Sequence, residues 1–339
     1  MLAGQRVMAS RYRVLGLFVV ASTLFGGTFV AAKGGLAYFP PLLFVAFRFD
    51  IGTALMLPYV LVRFPREKWL PRTRADVAGI LAAGVFTIGL TNAFIFVGQQ
   101  SVTSGVGAIF MSLNPILTPV FAAVLVSDEG FSRYDAGGML LGFVGVVLVA
   151  SIDPTNLFDG AVIGKAVLLA GAVCGGLGGV LIRRADSSLP SSVRTAWGLP
   201  IGALLCHFMS LAAGEQPALI EWTPAGLVAL GYVGVFSGAL AFIAYFGLLD
   251  EVGAIRGNMI FYVVPIVATL GGWVLLGETI SPLTIAGFVT IVCGFAIIGR
   301  EPITTELARF RAYIGAKLGS ATEQMATVAR TDPNWGEQD

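Results

Sequence analysis

Apolar residues run through this chain in long unbroken blocks, not at the spacing of a half-buried strand or a surface helix. Ten blocks follow one another with short connections, at about 14–37, 41–62, 76–98, 102–126, 135–152, 160–182, 191–213, 224–248, 253–276 and 282–299. Each approaches the roughly 20 residues that a helix needs to cross a bilayer core. The pattern predicts an all-α integral membrane protein with ten transmembrane helices. Composition sharpens this. The 339 residues are 56% apolar and 12% charged, with mean hydropathy +0.84. A soluble domain carries about 25% charged residues, so too little charge is present to cover a water-facing surface. The first block is too long for the apolar region of a cleavable leader and lacks a small-residue cleavage site. A net charge of +1 gives no pull toward nucleic acid. Cys174, Cys206 and Cys293 lie inside apolar blocks, so no disulfide framework is expected.

Basic residues alternate between connections. Arg6, Arg11 and Arg13, then Arg63, Arg66, Lys68, Arg72 and Arg74, then Arg133, then Arg183, Arg184 and Arg194, then Arg256, then Arg300 onward fall on one side. The other side has only Lys33, Arg48 and Lys165, all within spans. The positive-inside rule then places both termini in the cytoplasm of a multi-pass cell-membrane protein. Residues 1–13 form the leading segment. Residues 300–339 form a tail in which Ile303, Leu307, Phe310, Ile314 and Leu318 recur at helical spacing beside Arg309, Arg311 and Lys317. That pattern reads either as an amphipathic helix on the membrane face or as a frayed soluble tail, and DPNWGEQD after Thr331 reads as disorder.

The chain repeats itself. GVGAIFMSLNPILTPVFAAVLVSDEGFSRYDAGGMLLGFVGVVLV matches GAIRGNMIFYVVPIVATLGGWVLLGETISPLTIAGFVTIVCGFAII, bringing Pro115 onto Pro265, Glu129 onto Glu278, Gly138 onto Gly287 and Gly145 onto Gly294. Gly26-Gly27 falls on Gly175-Gly176 at the same offset. Residues 14–152 and 160–299 thus form two five-helix units. Five is odd, so the second unit enters the membrane upside down, giving an inverted repeat.

With LFGGTFVAAKGG in the first span and FVAFRFD in the second, this duplicated Pro-to-Glu-to-Gly pattern resembles the EamA family of the drug/metabolite transporter superfamily. The resemblance covers about residues 14–299. It departs at Phe25 and Cys174, where the family often has Trp, and at SDEG, a loose form of the first acidic turn. The resemblance implies a secondary carrier, often an exporter of amino acids or other small metabolites, with spans three, four, eight and nine forming most of the pathway.

Polar residues inside the spans are the candidate chemistry, because a polar group in lipid persists only with a partner or a cavity. Asp50 lies about 13 Å past Pro41, near the midplane. It reads as a protonatable switch, as an anchor for a substrate ammonium, or as half of a structural ion pair with Lys33 or Arg48. Arg48 lies about 200° around the helix from it. The repeat suggests two symmetry-related ion pairs, Arg48–Glu278 and Arg194–Glu129, against the alternative that each charge, like Lys33, snorkels to its own interface. Pro115 and Pro265 free the carbonyls of Met111 and Phe261 and point to broken helices beside a pathway. Asn92, Asn114, Ser112, Ser237, Asn258 and Tyr262, with Thr91, either line a mildly polar pocket or act as interhelical glue. His207 reads as a packing histidine before a proton relay. Trp69 and Trp222 read as interfacial anchors, and Trp197 and Trp273 as belt, packing or pocket-capping residues. GxxxG pairs at Gly138–Gly142, Gly175–Gly179 and Gly234–Gly238 allow close helix approach.

No P-loop, metal-ligand cluster or catalytic triad is visible, so neither an ATPase, a cofactor, a metal nor an enzyme is expected. The partners expected are a small-molecule substrate and the lipid bilayer; pairing with a second copy stays open. The function expected is a secondary transporter of a small neutral or zwitterionic, amino-acid-like metabolite, working by alternating access and exporting. The alternatives are a non-transporting receptor or assembly protein and a sugar-phosphate or nucleotide-sugar carrier.

Overall fold

The computed structural model describes residues 2–125, 133–150, 160–257 and 259–298, all helix and connection with no strand among them. Eleven helices follow in order. These are α1 (Leu2–Gly35), α2 (Pro41–Arg63), α3, α4 (Ser104–Met111), α5 (Asn114–Leu125), α6 (Arg133–Ala150), α7 (Gly160–Ala185), α8 (Ser191–Ala212), α9, α10 (Ile260–Leu276) and α11 (Pro282–Ile298). Helix α3 runs without a break through Arg74–Leu81, a π-helical stretch Ala82–Leu90, and Thr91–Gln99; α9 does the same through Pro224–Gly231, the π-helical Tyr232–Leu240, and Ala241–Gly257. Seven helical segments are long and apolar enough to cross a membrane, and Ala136–Val149, Ile260–Leu276 and Pro282–Gly294 are shorter apolar helices. Large apolar side chains such as Leu140, Phe143, Leu204, Phe208 and Val274 cover the outside of the bundle, as a lipid-facing surface requires.

Local sequence sets the ends. Pro40 and Pro41 end the connection after α1 and open α2, where proline's fixed φ suits the first turn. Thr73 accepts the Asp76 amide and Asp76 answers to the Thr73 amide, a reciprocal cap opening α3. Thr223 caps the Gly226 amide at the matching place in α9. Gly277, in the left-handed region at φ 66°, stops α10, a conformation glycine adopts without a Cβ penalty.

Several boundaries differ from expectation. Helix α1 already begins at Leu2, where the first block starts at about 14, and the ninth block, placed from 253, is α10 only from Ile260. The eighth block was expected to end near residue 248, but helix continues to Gly257. LLDEVGAIRG contains no proline to stop the helix, and Glu251 there forms a 3.1 Å ion pair with Arg13 of α1. The fourth block divides, because helix lapses at Ser112-Leu113, one turn before Pro115. This is where the missing proline N–H leaves the ladder weakest.

The first five blocks interleave with the last five: α6 packs against α11, α2 against α8, α1 against α10 and α3 against α7. Lipid supplies no hydrophobic drive between helices, so close van der Waals approach must hold them. Glycine supplies it. A Cβ on Gly145 would sit 2.7 Å from the Gly287 carbonyl, and one on Gly287 equally close to the Gly145 carbonyl. Gly294 meets Gly138 and Gly142 in the same way, so this GxxxG pair is a packing surface. The buried core centres on Phe44, Phe49, Met56 and Phe96.

Candidate functional site

The two π-helical stretches face helices that approach too closely for side chains. Gly84 and Gly89 meet Gly198 and Gly202 of α8, while Gly234 and Gly238 meet Ile51, Gly52 and the Arg48 carbonyl of α2. A wide π turn is a frequent mark of a functional segment. The first carries Thr87, whose Oγ1 is buried, and the second carries the buried Ser237.

Arg48 is the centre of that region. It is 4% exposed and lies about two turns from the start of α2. Its Nη1 donates to Asn92 Oδ1 at 2.9 Å and its Nη2 to Ser237 Oγ at 3.2 Å. Asn92 is held in place by donating its own amide to the Ile88 carbonyl, 2.8 Å. Thr28 Oγ1 donates to Ser237 Oγ at 2.6 Å. One polar chain thus joins α1, α2, α3 and α9. The guanidinium also lies 5.3 Å and 5.7 Å from the ring centroids of Phe49 and Phe96, within cation–π range. Phe96 meets Phe44 edge-on, and Phe44 stacks on Phe39, which seals the side toward the Pro41 end.

The charges expected to pair with Arg48 are used elsewhere, which corrects the Arg48–Glu278 expectation. Glu278 accepts the Ser104 amide with both carboxylate oxygens, at 3.0 and 2.9 Å, and so caps the positive end of α4. Lys33 donates to the Gln99 and Gln100 carbonyls, both at 2.9 Å. It caps the negative end of α3. Arg194 donates to Ser191 Oγ at 3.3 Å; Glu129, its expected partner, lies outside the described residues, as do Asn258 and the 300–339 tail.

Asp50 points the other way. Its Oδ2 lies 2.8 Å from His207 Nε2, and the two side chains are 48% and 36% exposed on the outer face of the α2–α8 contact. Neither Lys33 nor Arg48 is its partner. The same α8 segment is followed by Glu215, whose carboxylate accepts the Leu42 and Leu43 amides at 2.9 Å each and caps α2.

Pro265 does not break its helix: α10 continues through it. The Phe261 carbonyl that it frees receives Ser112 Oγ at 3.3 Å, a hydroxyl shared with the Ala108 carbonyl. Ser112 stands at the lapse between α4 and α5, so each irregularity sits against the other. Asn114 is half-buried, its amide filling the space a Cβ on Gly175 would need. Its Oδ1 is buried with no hydrogen-bond partner among the described residues. Tyr262 is half-buried on α10. Gln99, fully buried and donating to the Phe29 carbonyl at 2.5 Å, was not singled out in the sequence, nor were Thr28 and Glu215. A glutamine at a predicted helix end was the one available signal.

The model of the EamA-like transporter family matches residues 13–151 and again 162–300. The chain belongs to the EamA-like transporter family. Among curated EamA-type relatives, the "uncharacterized transporter YoaV" of Bacillus subtilis is 26% identical over 83% of this chain and 94% of its own length. The "uncharacterized inner membrane transporter YedA" of Escherichia coli K12 is 26% identical over 84% and 89%. An "uncharacterized transporter" of Archaeoglobus fulgidus is 23% identical over 86% and 99%. A protein of known crystal structure superposes with TM-score 0.58 at 22% identity, covering 85% of this chain and 96% of that one; at that identity the likeness bears on the fold alone. The EamA repeat is where the polar chain, the π turns and the Pro265–Ser112 contact reside, and several apolar helices mark this family member as a multi-pass membrane protein.

Proposed function

We propose that this chain is a secondary transporter of a small neutral or zwitterionic, amino-acid-like metabolite, working by alternating access in the export direction and not as an enzyme. The observation that carries the reading is the polar chain Thr28–Ser237–Arg48–Asn92, which joins both units of the repeat deep inside an apolar bundle. A buried cation held by neutral partners inside a membrane bundle marks a functional site by default. Ten crossings arranged as two inverted five-helix units account for the rest. The π-helical stretches Ala82–Leu90 and Tyr232–Leu240 and the caps Thr73 and Thr223 recur at one offset. The packing of α1 on α10 is answered by that of α7 on α5. Motion of one unit against the other would expose the polar chain to each side in turn.

The His207–Asp50 contact crosses between the units, which makes it the candidate coupling pair. The lysine and arginine bias places both termini in the cytoplasm, and the name of the Escherichia coli relative suggests an inner membrane. The purified chain in proteoliposomes should move at least one member of an amino-acid and small-metabolite panel, and faster under an imposed pH gradient. Folded protein that moves none of them would favour a non-transporting receptor.

A further inference from the structure

We propose that Arg48 is the anchor for a carboxylate on the transported solute; this rests on the transport reading above and names its substrate class. Arg48 is buried, and a guanidinium stays protonated at any relevant pH. It cannot shed its charge as a buried lysine does. A buried charge ordinarily has a counter-charge, yet the partners of Arg48 are the neutral Asn92 and Ser237. Its Nε–H is buried with no acceptor among the described residues. Among the described residues, Glu215 is committed to the Leu42 and Leu43 amides, Asp50 to His207 on the opposite face of α2, and Glu278, the expected partner, to the Ser104 amide. One positive charge is left over at the junction of four helices.

The vacant donor also has a direction. Nε–H and Nη2–H lie along one edge of the guanidinium, the edge that takes a carboxylate through two parallel hydrogen bonds. Nε is unfilled and Nη2 holds only the longer 3.2 Å bond to Ser237. A carboxylate would occupy the first and displace the second, leaving the 2.9 Å Asn92 bond on Nη1 to keep the group oriented. A single guanidinium balances one negative charge, and Thr28, Asn92 and Ser237 add none. The fit is therefore to a monocarboxylate or to the acid end of a zwitterionic amino acid, and not to a phosphate dianion.

A panel of simple acids tests this whatever the native solute is. The twenty standard amino acids, acetate, lactate and benzoate, each beside its primary amide, are titrated against the full chain in detergent, read by thermal shift. Inorganic phosphate is added as a competitor. At least one acid should bind ten-fold or more tightly than its amide, without competition from phosphate. Arg48→Gln should bring that ratio within two-fold, and Arg48→Lys should restore part of it. Acids and amides binding alike, no acid binding, phosphate competing effectively, or Arg48→Gln keeping the ratio would each overturn the proposal. Even if the variants do not fold, a wild-type acid-to-amide ratio near one overturns the proposal. Flux separates the two readings: a bound acid that never crosses proteoliposomes defeats transport and leaves the anchor standing, whereas transport of amides alone does the reverse.

Discussion

A helix turns about 100° per residue, so Arg48 and Asp50 face opposite sides of α2, one into the polar chain and one out to His207. The outer pair bridges the contact of α2 with α8 and sits where lipid replaces water as solvent. Asp50→Asn should abolish the response of flux to a pH gradient while leaving a folded protein, and His207→Ala should do the same; flux with unchanged pH dependence in both variants would reduce the pair to scaffold. The polar identity of Arg48, Asp50, Asn92 and Ser237 was legible in the sequence because each interrupts an apolar block. Their partners were not. Ser237 and Asn92 lie 189 and 44 residues from Arg48, and no local pattern reports such a distance. Lys33 and Glu278 looked like members of ion pairs because a charge announces itself in sequence. The backbone amides and carbonyls that they actually bind belong to every residue alike.

Helix irregularities here come in matched sets, and their energetics can be separated. Pro265 leaves the Phe261 carbonyl without its helical donor, and Ser112 from α4's end supplies a replacement. Removing that hydroxyl should cost about 1–3 kcal/mol, the usual range for a buried acceptor losing its partner. Pro265→Ala restores an N–H able to close the helical bond, so Ser112→Ala should cost far less in that background. Thermal unfolding of the two single variants and the double variant measures the coupling, and additive effects would show that the 3.3 Å contact contributes nothing. The break before Pro115 and the proline inside α10 show what sequence can deliver at this scale. Proline chemistry fixes which carbonyl is freed, but neighbouring helices decide whether the helix parts or continues. Most block ends are readable to within about three residues, but not the start of the first, the end of the eighth or the start of the ninth. The overrun of α9 to Gly257 is not legible because DEVGAIRG, with two glycines and three charged residues, has the polarity and the low helix propensity of a connection.

At the scale of the whole molecule the repeat is regular in backbone and irregular in chemistry. The π-helical stretches lie 150 residues apart, and at that same offset Arg48 is answered by Gly198 and Ser237 by Thr87. Gly198 packs against Gly84 with no side chain to spare, and Thr87 Oγ1 is buried without a partner among the described residues. The backbone frame is duplicated, yet of these two places 150 residues apart only the first holds a cation. The polar chain is therefore off centre. Thr28, Arg48 and Asn92 each lie about two turns from the end where α1 hands over to α2 and where Lys33 meets the end of α3. If both termini are cytoplasmic, that end faces outward. In a version lacking its three native cysteines, a cysteine at Lys68 should react with a membrane-impermeant maleimide only from the cytoplasmic side. One at Gln216, beside the Glu215 that caps α2, should react only from the outside. Labelling of both from the same side would remove the alternation of connections on which the inverted repeat depends. It would also remove the reason to expect a solute held by Arg48 to be released outward, since the bound state would then have no defined near and far face.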